Sequence, residues 1–365
     1  MKKILLQLIA ISLFLTGFCQ IQNNSQSPVS LAQKYQAYFP IGAAVSPRVL
    51  KRADSILIIS QYNSLVAENH MKPMWIQPKE NVFTFQNADY IAAFAKRHNM
   101  KLRGHTLVWH NQTPDWFFKD GDQPVSKEVL KERMHKHIQT LVSRYKDAVY
   151  AWDVVNEAIS DDKNEFLRTS SPWYKILGEE YIELAFRYAH EANPKAKLFY
   201  NDYNTCEPGK RDKIVRLVKS LQEKGVPIDG IGMQGHWKIG FPTKEQLETA
   251  IDMFSALGVT IQITELDVSV YQDDQDKQVE MTSELEQQQA DYYQMCFEVL
   301  RAKKDKISGV TFWGAADNYT WLNNFPVRGR KNFPLLFDTK LQPKKAFDQV
   351  VNFQPPPNPL PKEGA

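Results

Sequence analysis

The chain has 365 residues, 43% of them hydrophobic and 24% charged, with a formal net charge of +3. That length supports one large core or two ordinary domains, and the composition is that of a folded globular protein, not a disordered one. So nearly balanced a charge excludes a protein that holds nucleic acid or an anionic membrane through bulk electrostatics.

The N-terminus reads as a signal peptide over residues 1–19. Lys2 and Lys3 precede an apolar run, Ile4 to Phe18, that is too short to span a bilayer but suits the core of an export signal. Gly17 and Cys19 place small residues where cleavage after Cys19 requires them. Lipidation of Cys19 is the alternative; Phe18 argues against it, because lipoprotein signals carry a small residue there. Export is therefore expected, to the medium, the periplasm or the cell surface, and no later stretch reads as a membrane span. Residues 20–32, rich in Gln, Asn and Ser, read as a flexible leader. Beyond Cys19 only Cys206 and Cys296 remain, outside any CxxC pattern, so neither a stapled scaffold nor a disulfide is expected.

Residues 33–353 read as one unit in which short apolar or β-branched runs alternate with longer amphipathic segments. The strand candidates are Ile41–Val45, Ser64–Glu68, Leu102–Trp109, Val149–Asn156, Leu198–Asn201, Gly230–Gln234, Thr260–Glu265 and Gly309–Trp313. Helical patterns lie between them. One is Lys127–Tyr145, with Val129, Leu130, Met134, Ile138 and Leu141 as its apolar residues; another is Ser283–Leu300, capped by Thr282 or Ser283. The alternation predicts an α/β fold with parallel strands, a single (β/α)8 TIM barrel. An open doubly wound sheet is the alternative, weakened by the lack of a glycine-rich phosphate loop after the first strand. The tail, residues 354–365, holds Pro355, Pro356, Pro357, Pro359 and Pro361 and is expected to be extended and disordered.

Polar residues gather at the C-terminal ends of these runs, the face on which barrel enzymes carry their active sites. Glu68 and Asn69 end the second, His105 and Trp109 the third, Asn156 and Glu157 the fourth. Asp202 and Tyr203 follow the fifth, Gln234 and His236 the sixth, Glu265 the seventh and Trp313 the eighth. Two carboxylates at one mouth suit acetal hydrolysis, in which one group protonates the leaving oxygen while the other attacks the anomeric carbon. Glu157 in WDVVNEA and Glu265 in ITELDV fill these roles, with His236 and Asp267 placed to keep Glu265 anionic and Asn156 to bond a sugar 2-hydroxyl. His105, His110 and His236 lack the HxxxH or HExxH spacing of a metal site, so no metal is expected. Lys72 reads as a surface lysine or, in a cleft, as a donor to sugar hydroxyls. Trp109, Trp313 and Trp321 are candidate platforms for sugar rings, whereas Trp152, inside a strand, belongs to the core.

Together these blocks resemble family 10 glycoside hydrolases, the (β/α)8 xylanases. The matching segments are ENHMKP (68–73), RGHTLVWHNQTPDW (103–116), WDVVNEA (152–158), FYNDYN (199–204), IDGIGMQGHW (228–237), ITELDV (263–268), FWGAADNYTWL (312–322) and PLLFD (334–338). The resemblance implies a retaining endo-β-1,4-xylanase with no cofactor, acting on xylan and xylo-oligosaccharides, with Glu157 as acid/base and Glu265 as nucleophile. It implies that Glu68, Asn69, Lys72, His105, Trp109 and Gln112 hold xylose units on the non-reducing side of the cut. By the same resemblance Asn156, Gln234 and His236 are expected around the reacting sugar and nucleophile, Trp313 and Trp321 as the pair that closes over that side, and Tyr203 and Asn204 on the leaving-group side. Ala315 and Ala316 depart from the bulkier or polar residues expected there. The basic insert Val327–Lys331 reads as a solvated loop, or as a contact for uronic-acid branches. The long acidic segment 271–286 reads as a wall of the leaving-group side. A β-1,4-glucanase using the same two glutamates and a non-catalytic xylan-binding barrel are the competing readings. No heptad or exposed apolar stripe calls for a partner, so a monomer is expected.

Overall fold

The computed structural model describes residues 29–354; the signal peptide, most of the leader and nearly all of the proline-rich tail expected from the sequence lie outside them. Eight parallel strands close on themselves: β1 (Ile41–Val45), β2 (Ser64–Ala67), β3 (Lys101–Trp109), β4 (Val149–Asn156), β5 (Lys197–Asp202), β6 (Gly230–Met233), β7 (Thr260–Ser269) and β8 (Ile307–Phe312). The order follows the chain, and β8 pairs with both β7 and β1, which shuts the barrel and rules out the open sheet. Burial on both faces explains why these strands read as continuous apolar runs rather than alternating ones.

The helices between strands obey their local signals. In Lys127–Arg144 the Ser126 hydroxyl accepts from Val129 N at 3.3 Å, and the stripe Leu130, Met134, Ile138, Leu141 turns inward. Val129 lies a step off that stripe and is exposed; buried His137 completes the face instead, its Nδ1 2.7 Å from Gln77 Oε1. In Ser283–Ala302 the cap is Thr282, which accepts from Leu285 N at 3.2 Å. Residues 31 and 32, expected in the leader, belong instead to a short helix that begins at Leu31, which is buried and whose N–H donates to Gln61 Oε1 at 3.0 Å. Among the described residues no helix is long and apolar enough to cross a membrane.

Inside the barrel the packing is partly ionic. Arg103, 1% exposed, pairs with the equally buried Asp153 and donates through Nη1 to Gln262 Oε1 at 2.7 Å. Gly104 beside it is obligatory, because a Cβ there would fall 2.1 Å from Cε3 of the core residue Trp152. Replacing Arg103 with leucine would strip buried Asp153 of its guanidinium and leave it only the His105 ring as a partner. We expect a loss of about 3–5 kcal/mol in unfolding free energy, read from denaturant melts; a change of under about 1 kcal/mol would mean that the pair is not needed.

Two strand ends bear directly on function. β7 runs on past Glu265 to Ser269 because a short strand, His236–Lys238, pairs with it and sets Asp267 opposite His236. The register of β7 against β8 shifts between Ile263 and Leu266, the stretch that holds Glu265. β8 stops at Phe312, leaving Trp313 at the rim with its N–H donating to Leu266 O at 3.0 Å.

Candidate active site

A cleft of about 620 Å3 opens at the C-terminal mouth. Glu68, Asn69 and Lys72 reach it from beyond β2, His105, Trp109 and Gln112 from β3, and Asn156 and Glu157 from β4. Tyr203 and Asn204 follow β5, Gln234 and His236 follow β6, Glu265 comes from β7, and Trp313 and Trp321 from beyond β8. Of the site residues read from the sequence, Asp267 alone stands behind this wall, buried beneath His236 and Trp321.

The two carboxylates share one amide network. Gln234 Nε2 donates to Glu157 Oε1 at 2.9 Å and to Asn156 Oδ1 at 3.2 Å; Asn201 Nδ2 donates to Asn156 Oδ1 at 2.9 Å and to Glu265 Oε1 at 2.8 Å. Their other contacts differ. Glu157 receives Trp109 Nε1 at 2.8 Å and Asn156 Nδ2 at 3.1 Å, all neutral donors. Asn156 Nδ2 carries a second N–H beyond that bond. Glu265 is flanked by two imidazoles, His236 Nε2 at 3.2 Å from Oε2 and His105 Nδ1 at 3.9 Å from Oε1.

This asymmetry fixes the ionisation of Glu265. Burial pushes its carboxyl upward, but the charge of His105, the hydrogen bond and charge of His236, and Lys72 overcome it and hold the pKa at about 2. His236 is raised in turn: burial opposes its charge, yet Asp267 Oδ1, 3.0 Å from Nδ1, and Glu265 outweigh that. Asp153 Oδ2 anchors His105 Nδ1 at 3.0 Å, which ties the barrel's interior ion pair to the Glu265 side of the cleft. Glu265 is therefore held below the usual glutamate range, and lowering the pH through that range does not protonate it. Substituting His236 with alanine removes the cation and leaves two buried carboxylates facing each other. We expect the acid limb of kcat/KM to move up by more than about one pH unit; an unmoved limb would mean that His236 does not control Glu265.

Lys72 is not a surface lysine. It is buried with Nζ donating to Asn69 Oδ1 at 2.9 Å and standing 5.1 Å from the Trp109 ring centroid and 5.8 Å from that of Trp313. Burial lowers its pKa despite Glu265, Glu68 and Glu157. Glu68 beside it is raised by burial, against Lys72. Trp321 donates to Asp267 Oδ2 at 2.8 Å and stacks on the exposed Phe325, ring centroids 5.2 Å apart. Three non-glycine residues on the cleft wall adopt the left-handed backbone: Gln112 (φ 45), Glu157 (φ 59) and Asn204 (φ 54). Such conformations cost on the order of 1–3 kcal/mol each and persist only where surrounding contacts enforce them.

Sequence reasoning passed over Asn201, Asn111, Phe325 and the anchor Asp153. Asn201 carried a readable signal, a polar side chain inside the apolar run of β5; Phe325 carried none, since only the fold brings it against Trp321. The basic insert differs from the solvated loop expected. Arg330 is buried, lies 4.1 Å over the Tyr271 ring and donates through Nη1 to the carbonyls of Asp273 and Asp276, both at 2.9 Å. It staples the loop after β8 to the one after β7, while Arg328 and Lys331 remain exposed. Together these loops line a second recess of about 550 Å3 that meets the cleft across Asn204, His236 and Trp321. Ala315 and Ala316 are buried, and Tyr62 Oη donates to Ala315 O at 3.2 Å.

A closed (β/α)8 barrel with paired carboxylates in one polar, tryptophan-walled cleft is the build of a glycoside hydrolase. The chain belongs to glycosyl hydrolase family 10, whose profile matches residues 30–353. It is 51% identical over 326 residues to an endo-1,4-beta-xylanase of Geobacillus stearothermophilus, covering 88% of this chain and 98% of that one. To a beta-1,4-xylanase of Dictyoglomus thermophilum it is 49% identical over 353 residues, 96% of this chain and 98% of the other. The crystal structure of xylanase XynB from Paenibacillus barcinonensis, complexed with a conduramine derivative, superposes with a TM-score of 0.87 at 48% identity, covering 90% of this chain and 99% of that one.

Proposed function

We infer that the protein is an endo-β-1,4-xylanase that cleaves xylan by double displacement with retention, Glu157 serving as acid/base and Glu265 as nucleophile. The observation that carries the assignment is the unequal surroundings of two carboxylates on one amide network. Glu265 has imidazoles on both sides and is held as an anion, whereas Glu157 has only neutral donors.

In the first step a Glu265 oxygen bonds to the anomeric carbon as the bond to the leaving oxygen breaks, and Glu157 gives its proton to that oxygen. In the second, water attacks the same carbon, Glu157 takes back a proton, and the ester bond breaks to restore the Glu265 carboxylate. Asn156 meets the 2-hydroxyl, a bond that strengthens as the ring gains oxocarbenium character. Glu68, Asn69, Lys72, His105, Trp109 and Gln112 hold the non-reducing side, and Tyr203 and Asn204 face the leaving sugar. The continuity of the cleft with the second recess supports cutting within a chain, since polymer can lie on both sides of the bond. Proton NMR of the first-formed product tests the mechanism: the β-anomer is expected, and the α-anomer would exclude double displacement.

Xylose lacks the hydroxymethyl group of glucose, and in this reading Trp313 and Trp321, which line the cleft, wall off that position. For matched aryl glycosides, kcat/KM on the xylotrioside is expected to exceed that on the cellotrioside by roughly 10- to 200-fold. A preference for the cellotrioside would favour the glucanase reading. Export through residues 1–19 is also part of this reading, supported by Lys2, Lys3 and the apolar run after them. N-terminal sequencing of the exported enzyme should begin at Gln20; a blocked, lipidated Cys19 would replace simple secretion by anchoring.

A further inference from the structure

Beyond Glu157 the chain leaves the barrel mouth and returns through the antiparallel bridge Ile159–Leu167. Arg168, the next residue, folds back over this excursion. Its own N–H donates to Ala158 O at 2.8 Å, and its Nε donates to Glu157 O at 3.2 Å. Nη2 donates to Ile159 O at 3.3 Å, to Asp161 Oδ2 at 2.9 Å and to the Tyr203 hydroxyl at 2.9 Å. One guanidinium thus grips both the main chain that places the acid/base and a side chain of the cleft wall. The Tyr203 hydroxyl completes the link by donating to Asp161. From the other side buried Lys210 donates to Asp161 Oδ1 at 2.9 Å and Ile159 O at 3.1 Å and pairs with Asp202 at 3.1 Å. Arg168 and Lys210 are matched by Asp161 and Asp202, so the cluster has no charge to spare for a substrate anion. Its contacts are spent on holding a loop in place.

That loop starts at a residue in the left-handed region, φ 59, and the direction of the Glu157 carboxyl follows from that backbone. Proton delivery is sensitive to such direction, because the acid must lie within hydrogen-bond reach of the leaving oxygen. Tyr203 stands where the cleft passes toward the second recess, beside Asn204, which lines both. We propose that Arg168 is a positioning residue that couples Tyr203, the wall for the leaving sugar, to the main chain of Glu157, so that a sugar seated on that side sets the acid for its own departure. The inference rests on the assignment of Glu157 as acid/base.

The test uses two substrates. An oligosaccharide such as xylotetraose needs its leaving oxygen protonated, whereas a dinitrophenyl β-xylobioside does not. For Arg168→Lys we expect kcat/KM on xylotetraose to fall by about tenfold or more while that on the dinitrophenyl glycoside falls by less than about threefold. Tyr203→Phe removes the hydroxyl's contacts with both Arg168 and Asp161 and should shift the ratio of the two rates in the same sense, even if the arginine variant does not fold. Equal losses on both substrates would mean that Arg168 merely supports the fold, and no loss on either would mean that it has no part in catalysis; both overturn the proposal. Glu157→Ala is run alongside. If it discriminates between the substrates and the other two variants do not, the coupling fails alone; if Glu157→Ala does not discriminate, the acid/base assignment itself has failed.

Discussion

Glu265→Ala should reduce turnover of xylan by roughly 10⁴- to 10⁶-fold, the scale on which a covalent nucleophile is missed. Nothing near it can substitute: the groups bonded to its oxygens are Asn201 and His236, donors aimed at an anion. The deletion leaves a small space lined by His236, His105 and Lys72, all of which favour an anion there. Azide should therefore occupy it and attack the anomeric carbon of an aryl β-xylobioside directly, giving the α-glycosyl azide. Chromatography and NMR of the product check this. A β-configured azide would mean that the covalent intermediate still forms and that Glu265 is not the nucleophile.

Glu157→Ala should behave differently. For substrates with poor leaving groups kcat/KM should fall by about 10²- to 10⁴-fold, the usual weight of a positioned proton donor, while dinitrophenyl glycosides should be cleaved to the covalent stage at nearly the normal rate. The intermediate then lacks its base, so ester accumulates and steady-state turnover is slow. Azide needs no base; it should restore turnover and yield the β-glycosyl azide, the opposite configuration from that of the Glu265 variant. A pre-steady-state burst of dinitrophenolate, followed by a slow phase that azide accelerates, is the expected signature. A uniform loss on all leaving groups would contradict the role.

The fold was largely legible because each barrel strand is buried on both sides and interrupted by amphipathic helices. β1 and β4 were readable to the residue, and the apolar stripe of Lys127–Arg144 pointed to the core with Val129 as its one misplaced member. What escaped depended on pairing. The extension of β7 past Glu265 exists only because His236–Lys238 lies beside it, and that partner is remote in sequence. The same pairing sets His236 against Asp267, so the support of Glu265 was guessed from residue types whereas its geometry came from topology. Side-chain commitments were likewise hidden. Lys72 and Arg330 look alike in sequence as basic residues of loops, yet one is buried in the cleft and the other is spent on the carbonyls of Asp273 and Asp276. Nor could spacing reveal that Arg168 reaches back to Glu157 O and across to Tyr203.

The most direct examination of the central claim is to trap the covalent ester. Incubation with dinitrophenyl 2-deoxy-2-fluoro-β-xylobioside, whose fluorine slows both steps while the leaving group speeds the first, should add one fluoroxylobiosyl group, two sugar residues, to the intact enzyme. Proteolysis and tandem mass spectrometry should then place that mass on Glu265. A label on Glu157, on any other side chain, or on none at all despite inactivation would contradict the account.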